Sequence, residues 1–167
     1  MSIALSQCDL NALEDQVAHA VRSGDESGLR IIGYGEITTV LLLKTDDGTF
    51  AVKRLPVMKS RANAEHVAQI IDAYVQALTA RGVHVVPNEA RILERDNGDV
   101  VVYCVQTALP EESLATNWFR DHDPEECQHK FELIINRIAE CVCAEVATDG
   151  QLSNWAFVDE DLLYLDV

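Results

Sequence analysis

Four side chains have the types and spacing to handle a phosphate and its cation: Lys53, Asp149, Asn154 and Asp166. Asn154 follows Asp149 by five positions, and Asp166 follows Asn154 by twelve. Between the last two, Trp155-Ala156-Phe157-Val158 and Leu162 to Leu165 read as two short strands, joined by the turn Asp159-Glu160-Asp161. A hairpin of that length brings Asn154 and Asp166 near each other at its open end. Amide and carboxylate oxygens are hard ligands, and such a set suits Mg²⁺ carrying phosphates. Asp149 is then left to orient or deprotonate a hydroxyl.

Lys53 ends the apolar stretch Phe50-Ala51-Val52. Strand alternation puts it on the face of Ala51 and Leu55, with Val52 and Arg54 on the other. Upstream, Gly33-Tyr34-Gly35-Glu36 joins two apolar, β-branched runs, Leu29 to Gly33 and Ile37 to Leu43. Glycines in such a loop let backbone N–H groups approach phosphate oxygens with no Cβ in the way. Taken singly, the same stretches read as a plain hairpin turn and an edge-strand lysine that blocks aggregation.

The elements that must position these groups follow from periodicity. Asp9 to Arg22 reads as a leading helix, with Asn11 and Glu14 at capping-box spacing and Leu10, Leu13, Val17 and Val21 at helical intervals. Ser60 to Arg81 is the clearest helix. Val67, Ile70, Ile71, Tyr74, Val75 and Leu78 form its stripe, and Gly82 stands at its C-terminal cap. The lysine strand, Val83 to Val86, Ala90 to Leu93 and Val100 to Val105 complete a sheet of about five strands, with Asp96-Asn97-Gly98-Asp99 as a turn. Asp123-Pro124-Glu125-Glu126 starts a second long helix, running to about Val146 with Cys127, Phe131, Ile134, Ile135, Ile138, Cys141 and Val142 on one stripe. The fold class is α+β: a leading helix over 1–27, a sheet plus helix over 28–107, and a mainly helical part over 108–167 that ends in a β-hairpin.

In this order the parts resemble the protein-kinase-like superfamily, most closely its aminoglycoside-phosphotransferase-like branch. The motifs carrying the resemblance are Gly33-x-Gly35-x-x-x-x-Val40, Ala51-Val52-Lys53, Asp149-x-x-x-x-Asn154 and Tyr164-Leu165-Asp166. Thr38 replaces the third glycine of the loop. The resemblance implies an ATP- and Mg²⁺-dependent phosphotransferase acting on a hydroxyl of a small molecule. Gly33 and Gly35 would cover the phosphates, Lys53 would hold the α and β groups, and Glu65 would pair with Lys53, Asp72 being shorter. The backbone of Gln106-Thr107-Ala108-Leu109-Pro110, with Gln106 and Ala108 as the binding positions, would pair with adenine. Asn154 and Asp166 would hold the metal, and Asp149 would orient the acceptor. Ala147-Thr148 stands where the superfamily has His-Arg or His-Gly before the catalytic acid. That departure leaves open a pseudokinase, or nucleotide-binding interaction module without turnover; a structural α+β domain is the third reading. The chain ends at Val167, one residue after the metal-binding acid, so the resemblance implies a truncated second lobe or a protein partner that covers it.

Composition narrows the partners. With 13 basic against 28 acidic side chains there is no basic footprint for nucleic acid. No run is long and apolar enough to span a membrane, and no basic-then-apolar leader opens the chain. Five cysteines, an odd number, point to reduced thiols in the cytoplasm. Cys141-x-Cys143 lacks zinc-knuckle spacing and reads as buried structural cysteine. The acidic stretch from Glu111 to Glu126 reads as a solvated linker, or as a surface facing a cationic substrate.

Overall fold

The computed structural model describes residues 3–34 and 38–167. The chain divides into two compact units, Met1–Ile70 with Pro87–Ala108, and Ile71–Val86 with Leu109–Val167.

The first unit is a five-stranded antiparallel sheet with a helix on one face. The strands are β1 (Ile31–Tyr34), β2 (Thr39–Thr45), β3 (Gly48–Arg54), β5 (Asn88–Glu94) and β6 (Val100–Thr107), in the order β1-β2-β3-β6-β5. β6 lies between β3 and β5, and Val100 to Val105 are all at most 2% exposed. That burial on both faces explains an unbroken apolar run where a half-exposed strand would alternate.

Helix α1 (Gln7–Ser23) covers one face. Leu10, Leu13 and Val17 pack with Leu41, Phe50, Val52, Val101, Tyr103 and Val105. Each fully buried aliphatic side chain contributes roughly 1.5–3 kcal/mol, so the stripe suffices to dock the helix. Its capping differs from the sequence expectation. The N-cap is Ser6, whose hydroxyl accepts from Asp9 N at 3.1 Å and donates to Asp9 Oδ2 at 2.6 Å. Asn11 and Glu14 therefore lie inside the helix. Gly24 ends it with φ 72°, a left-handed conformation that glycine adopts without a Cβ penalty.

Glu14 does something else. It sits in the apolar stripe, with its side chain 4% exposed. Its Oε2 and Oε1 accept from Arg54 Nε and Nη2 at 2.8 and 2.9 Å, and its Oε2 also accepts from the Tyr103 hydroxyl. Arg95 Nε lies 3.4 Å from Oε1. A bidentate guanidinium pair of this kind fixes orientation as well as charge.

The second unit holds a three-stranded sheet, β4 (His84–Val85), β8 (Asp161–Tyr164) and β7 (Trp155–Val158), in the order β4-β8-β7. β4 runs parallel to β8, with Val85 opposite Tyr164. The expectation that Val83 to Val86 joins the five-stranded sheet is thus corrected: it pairs with the terminal hairpin, and Val86 N donates to Tyr164 O at 3.0 Å. The hairpin turn is shorter than expected, since Asp161 already pairs with Val158. Asp159 takes φ 52°, which a short acidic side chain tolerates better than most. Trp155, Phe157, Tyr164, Leu78, Ile134 and Cys141 build the core of this unit.

Helix α2 (Arg61–Ala80) contributes one half to each unit. In the second unit, α3 (Ala115–Asp121) precedes α4 (Pro124–Cys141). Asp123 caps α4 by accepting from Glu125 N and Glu126 N at 2.9 and 3.1 Å. α4 stops at Cys141 and does not reach Val146. The Arg81 guanidinium donates to Cys141 O at 3.0 Å, which satisfies a carbonyl of the last turn without further helix. Its stripe is also only partly buried: Ile134 and Cys141 are inside, whereas Phe131, Ile135 and Val142 are 47%, 48% and 49% exposed. Among the described residues no helix is long and apolar enough to cross a membrane. None of the five cysteines forms a disulfide.

Candidate functional site

The first unit carries the cationic part. Residues directly opposite in an antiparallel sheet share a face. Gly33 pairs with Val40, Val40 with Lys53, Lys53 with Cys104, and Cys104 with Ala90. One row therefore joins the loop glycine to the lysine. The next row is Leu42, Ala51, Gln106 and Asn88. This face is opposite to the one that Val52, Phe50 and Arg54 turn toward α1, so Lys53 projects away from the helix. A Cβ at Gly33 would meet only Val40, at 3.7–3.8 Å, an ordinary contact. Packing within the sheet does not require glycine there. Gly35 lies outside the described residues.

Gln106 ends β6, paired with Ala51 on one side and Asn88 on the other. Ala108 N donates to Thr49 O at 3.0 Å, so that N–H is already engaged and adenine would have to meet another group of this segment. The Glu65 carboxylate, about half exposed, accepts from Arg61 Nε at 2.9 Å, one helical turn away.

The second unit carries the oxygen donors. Trp155 pairs with Tyr164, and beyond that pair Leu165 N donates to Asn154 O at 2.9 Å. Asn154 thus closes the open end of the hairpin directly opposite Leu165, and Asp166 follows as the next residue. Asn154 is itself set by a single 3-10 turn, Leu152–Asn154, with its N–H on Gln151 O at 3.0 Å. Asp149 is exposed. Its Oδ1 accepts from Gln151 N at 3.0 Å, a tight turn closed by the acid's own side chain.

The backbone around Asp149 is held by two tyrosines. Asp149 N donates to the Tyr164 hydroxyl at 3.0 Å, and the Tyr74 hydroxyl donates to Ala147 O at 2.8 Å. Burial pushes the Tyr164 phenol far above its ordinary range; the Asp149 N–H opposes this and the Tyr74 and Asp166 neighbours add to it. Burial likewise raises Tyr74. Both are therefore neutral phenols at any ordinary pH. From sequence Tyr74 read as part of the α2 stripe and Tyr164 as part of the motif before Asp166, and neither hydroxyl was given a role. The usable signal was Tyr164 itself, because a tyrosine inside an apolar strand must find a partner for its hydroxyl.

The donor chemistry fits Mg²⁺ only in part. Among the described residues no group of three or more His, Cys, Asp or Glu could hold a metal alone. One amide oxygen and one carboxylate are, however, the kind of sparse set that Mg²⁺ uses when phosphates and water complete its shell.

No curated protein matches the chain. Among solved structures it is similar to WaaP in complex with acyl carrier protein, at 16% identity and TM-score 0.48, over 84% of this chain and 61% of that one. It is also similar to the Mycobacterium tuberculosis PknI kinase domain, at 15% identity and TM-score 0.41, over 82% of this chain and 56% of that one. The chain thus spans less than two thirds of either structure. The match that covers most of the sequence is to a family model, over residues 12–167, which takes in the strands, helices and hairpin bearing Lys53, Asp149, Asn154 and Asp166; the chain belongs to that family, DUF6206, a family of unknown function.

Proposed function

We propose that this chain is an ATP- and Mg²⁺-dependent phosphotransferase that transfers a phosphoryl group to a hydroxyl of a small molecule. The observation that carries the reading is the register of the terminal hairpin. The Leu165 N–H on Asn154 O sets an amide and the following Asp166 carboxylate at one strand end, five residues after an exposed acid. The row from Gly33 to Lys53 on one sheet face supports it.

In this reading Lys53 binds the α and β phosphates of ATP, with Gly33 and Gly35 above them. Gln106 and Ala108 supply backbone groups to adenine, and Glu65 leaves Arg61 to orient Lys53. Asp149 accepts the acceptor's hydroxyl proton on the oxygen not used by Gln151. The hydroxyl oxygen forms the new P–O bond, the bond from the γ-phosphorus to the β–γ bridging oxygen breaks, and ADP leaves with that electron pair. Asn154 and Asp166 would hold Mg²⁺, which when bound supplies neutralisation of phosphate charge. A protein partner covering Phe131 and Ile135 of α4 and Val142 just past its end belongs to the same reading, as does a cytoplasmic location.

Titration calorimetry with Mg²⁺ and ATP is the test. The wild-type chain binds ATP only with Mg²⁺ present, and Asp166→Ala abolishes that binding while Glu65→Gln changes affinity far less. No binding with Lys53 and Asp166 intact refutes the proposal. Ala147-Thr148 favours a second reading, nucleotide binding without turnover, which an ATPase assay separates from the first.

A further inference from the structure

We infer that Tyr164 and Tyr74 are positioning residues that clamp the Ala147–Asp149 segment, in place of a bracing side chain from that segment itself; the inference rests on Asp149 being the acid of the proposed phosphoryl transfer. Ala147 and Thr148 have little with which to brace it. Ala147 has no polar group beyond its backbone, and the Thr148 hydroxyl is buried with no hydrogen-bond partner. The hold comes from outside. Tyr164 receives the N–H of Asp149, and Tyr74 gives its proton to the carbonyl of Ala147 two residues earlier. The two bonds, one from each tyrosine, tie both ends of the three-residue segment. Each bond also gives a phenol hydroxyl a polar partner, which offsets part of the cost of taking it out of water.

The clamp is anchored in the buried core of its unit. Tyr164 is fully buried in the central strand of the three, paired with Trp155 on one side and Val85 on the other. Its ring lies against Trp155, with centroids 4.9 Å apart. Asp166 follows two positions later, roughly 7 Å of extended chain. One strand end therefore holds both the acid that would bind metal and the hydroxyl that fixes the main chain of Asp149. Tyr74 comes from α2, so the helix, the hairpin and the Asp149 loop are locked together within the unit. With the Asp149 carboxylate also closed onto Gln151 N, the residue is constrained at its backbone and at one oxygen. A structural tyrosine pair would need no such specificity for the two ends of one loop.

The test uses Tyr164→Phe and Tyr74→Phe in the whole chain, each losing one hydroxyl and keeping the ring. The Asp149 amide, followed by hydrogen exchange, exchanges about five- to tenfold faster in Tyr164→Phe. The Val86 amide, which is bonded to the Tyr164 carbonyl and not to its hydroxyl, keeps its wild-type rate and certifies the fold. In ATP turnover both variants lose about ten- to a hundredfold in kcat, with KM for ATP within about twofold, because a displaced acid slows the chemical step without loosening nucleotide. Tyr74→Phe is the milder change and reports on the clamp even if Tyr164→Phe unfolds. Unchanged Asp149 exchange, or unchanged kcat, in a wild type that turns over ATP overturns the clamp alone. A wild-type chain with no ATP turnover overturns the phosphotransfer reading, and the positioning role with it.

Discussion

Replacing Glu14 by glutamine tests how the leading helix is held to the sheet. Glutamine keeps the shape and one acceptor oxygen but removes the charge. It also turns an amide NH₂ toward donors, where a second carboxylate oxygen had been. Arg54 and Arg95 remain, with side chains 17% and 25% exposed. Removing one partner of a buried ion pair costs roughly 3–5 kcal/mol. The remaining exposure of Arg54 lets water solvate it in part, so we expect about 3 kcal/mol, measured as a lower urea midpoint by far-UV circular dichroism at pH 7. Arg54→Met should cost a similar amount. The double variant should cost clearly less than both together, with a coupling of at least about 1.5 kcal/mol, because the side chains share one interaction.

The pH dependence gives an independent check. Burial pushes the Glu14 carboxyl up, but hydrogen bonds from Arg54 and Tyr103 and the charges of Arg54 and Arg95 together hold it below the ordinary value of 4.5. A carboxyl depressed in the folded state adds stability that is complete above its unfolded value and is lost as pH falls through the folded one. The gap between wild type and Glu14→Gln should stay constant from neutral pH down to about pH 5 and then shrink in acid. Additive single variants, or a gap that ignores pH below 4.5, would refute the charge-based account and leave only packing.

Two further outcomes can be measured on the same scale. Ser6→Ala should cost about 1 kcal/mol in urea unfolding, the usual loss of an N-cap, whereas Asn11→Ala should cost little, because Asn11 lies inside α1. Gly33→Ala should leave stability unchanged or slightly raised, since its Cβ meets only Val40 at ordinary distance and glycine weakens a strand interior. In the proposed role it should nevertheless weaken ATP binding in calorimetry, and equal affinity would remove Gly33 from the phosphate site.

Much of this architecture was legible because it is local. Asp123-Pro124 with two following acids starts α4, and its capping bonds form within three residues. The apolar runs around Asp159 make the hairpin, and the six-residue valine-rich stretch Val100 to Val105 makes the buried centre of the larger sheet. What was not legible is pairing across long separations. Val83 to Val86 looks like any short strand, and nothing in it names Tyr164 as its neighbour. α4 carries its stripe past Cys141, and nothing local names Arg81, 60 residues away, as the donor that meets the Cys141 carbonyl where the helix stops. Glu14 matched a capping pattern, yet its partners lie 40 and 89 residues downstream.

The candidate site divides in the same way. Sequence alone determined the residue types, their order and the hairpin that brings Asn154 toward Asp166, because a two-strand register follows from local alternation and turn length. Tertiary structure decided that Gly33 shares a row with Lys53, that Glu65 meets Arg61, and that Tyr164 meets the Asp149 N–H while Tyr74 meets the Ala147 carbonyl. Sheet pairing and the burial of phenol hydroxyls depend on which distant backbone arrives alongside, and residue type does not encode that.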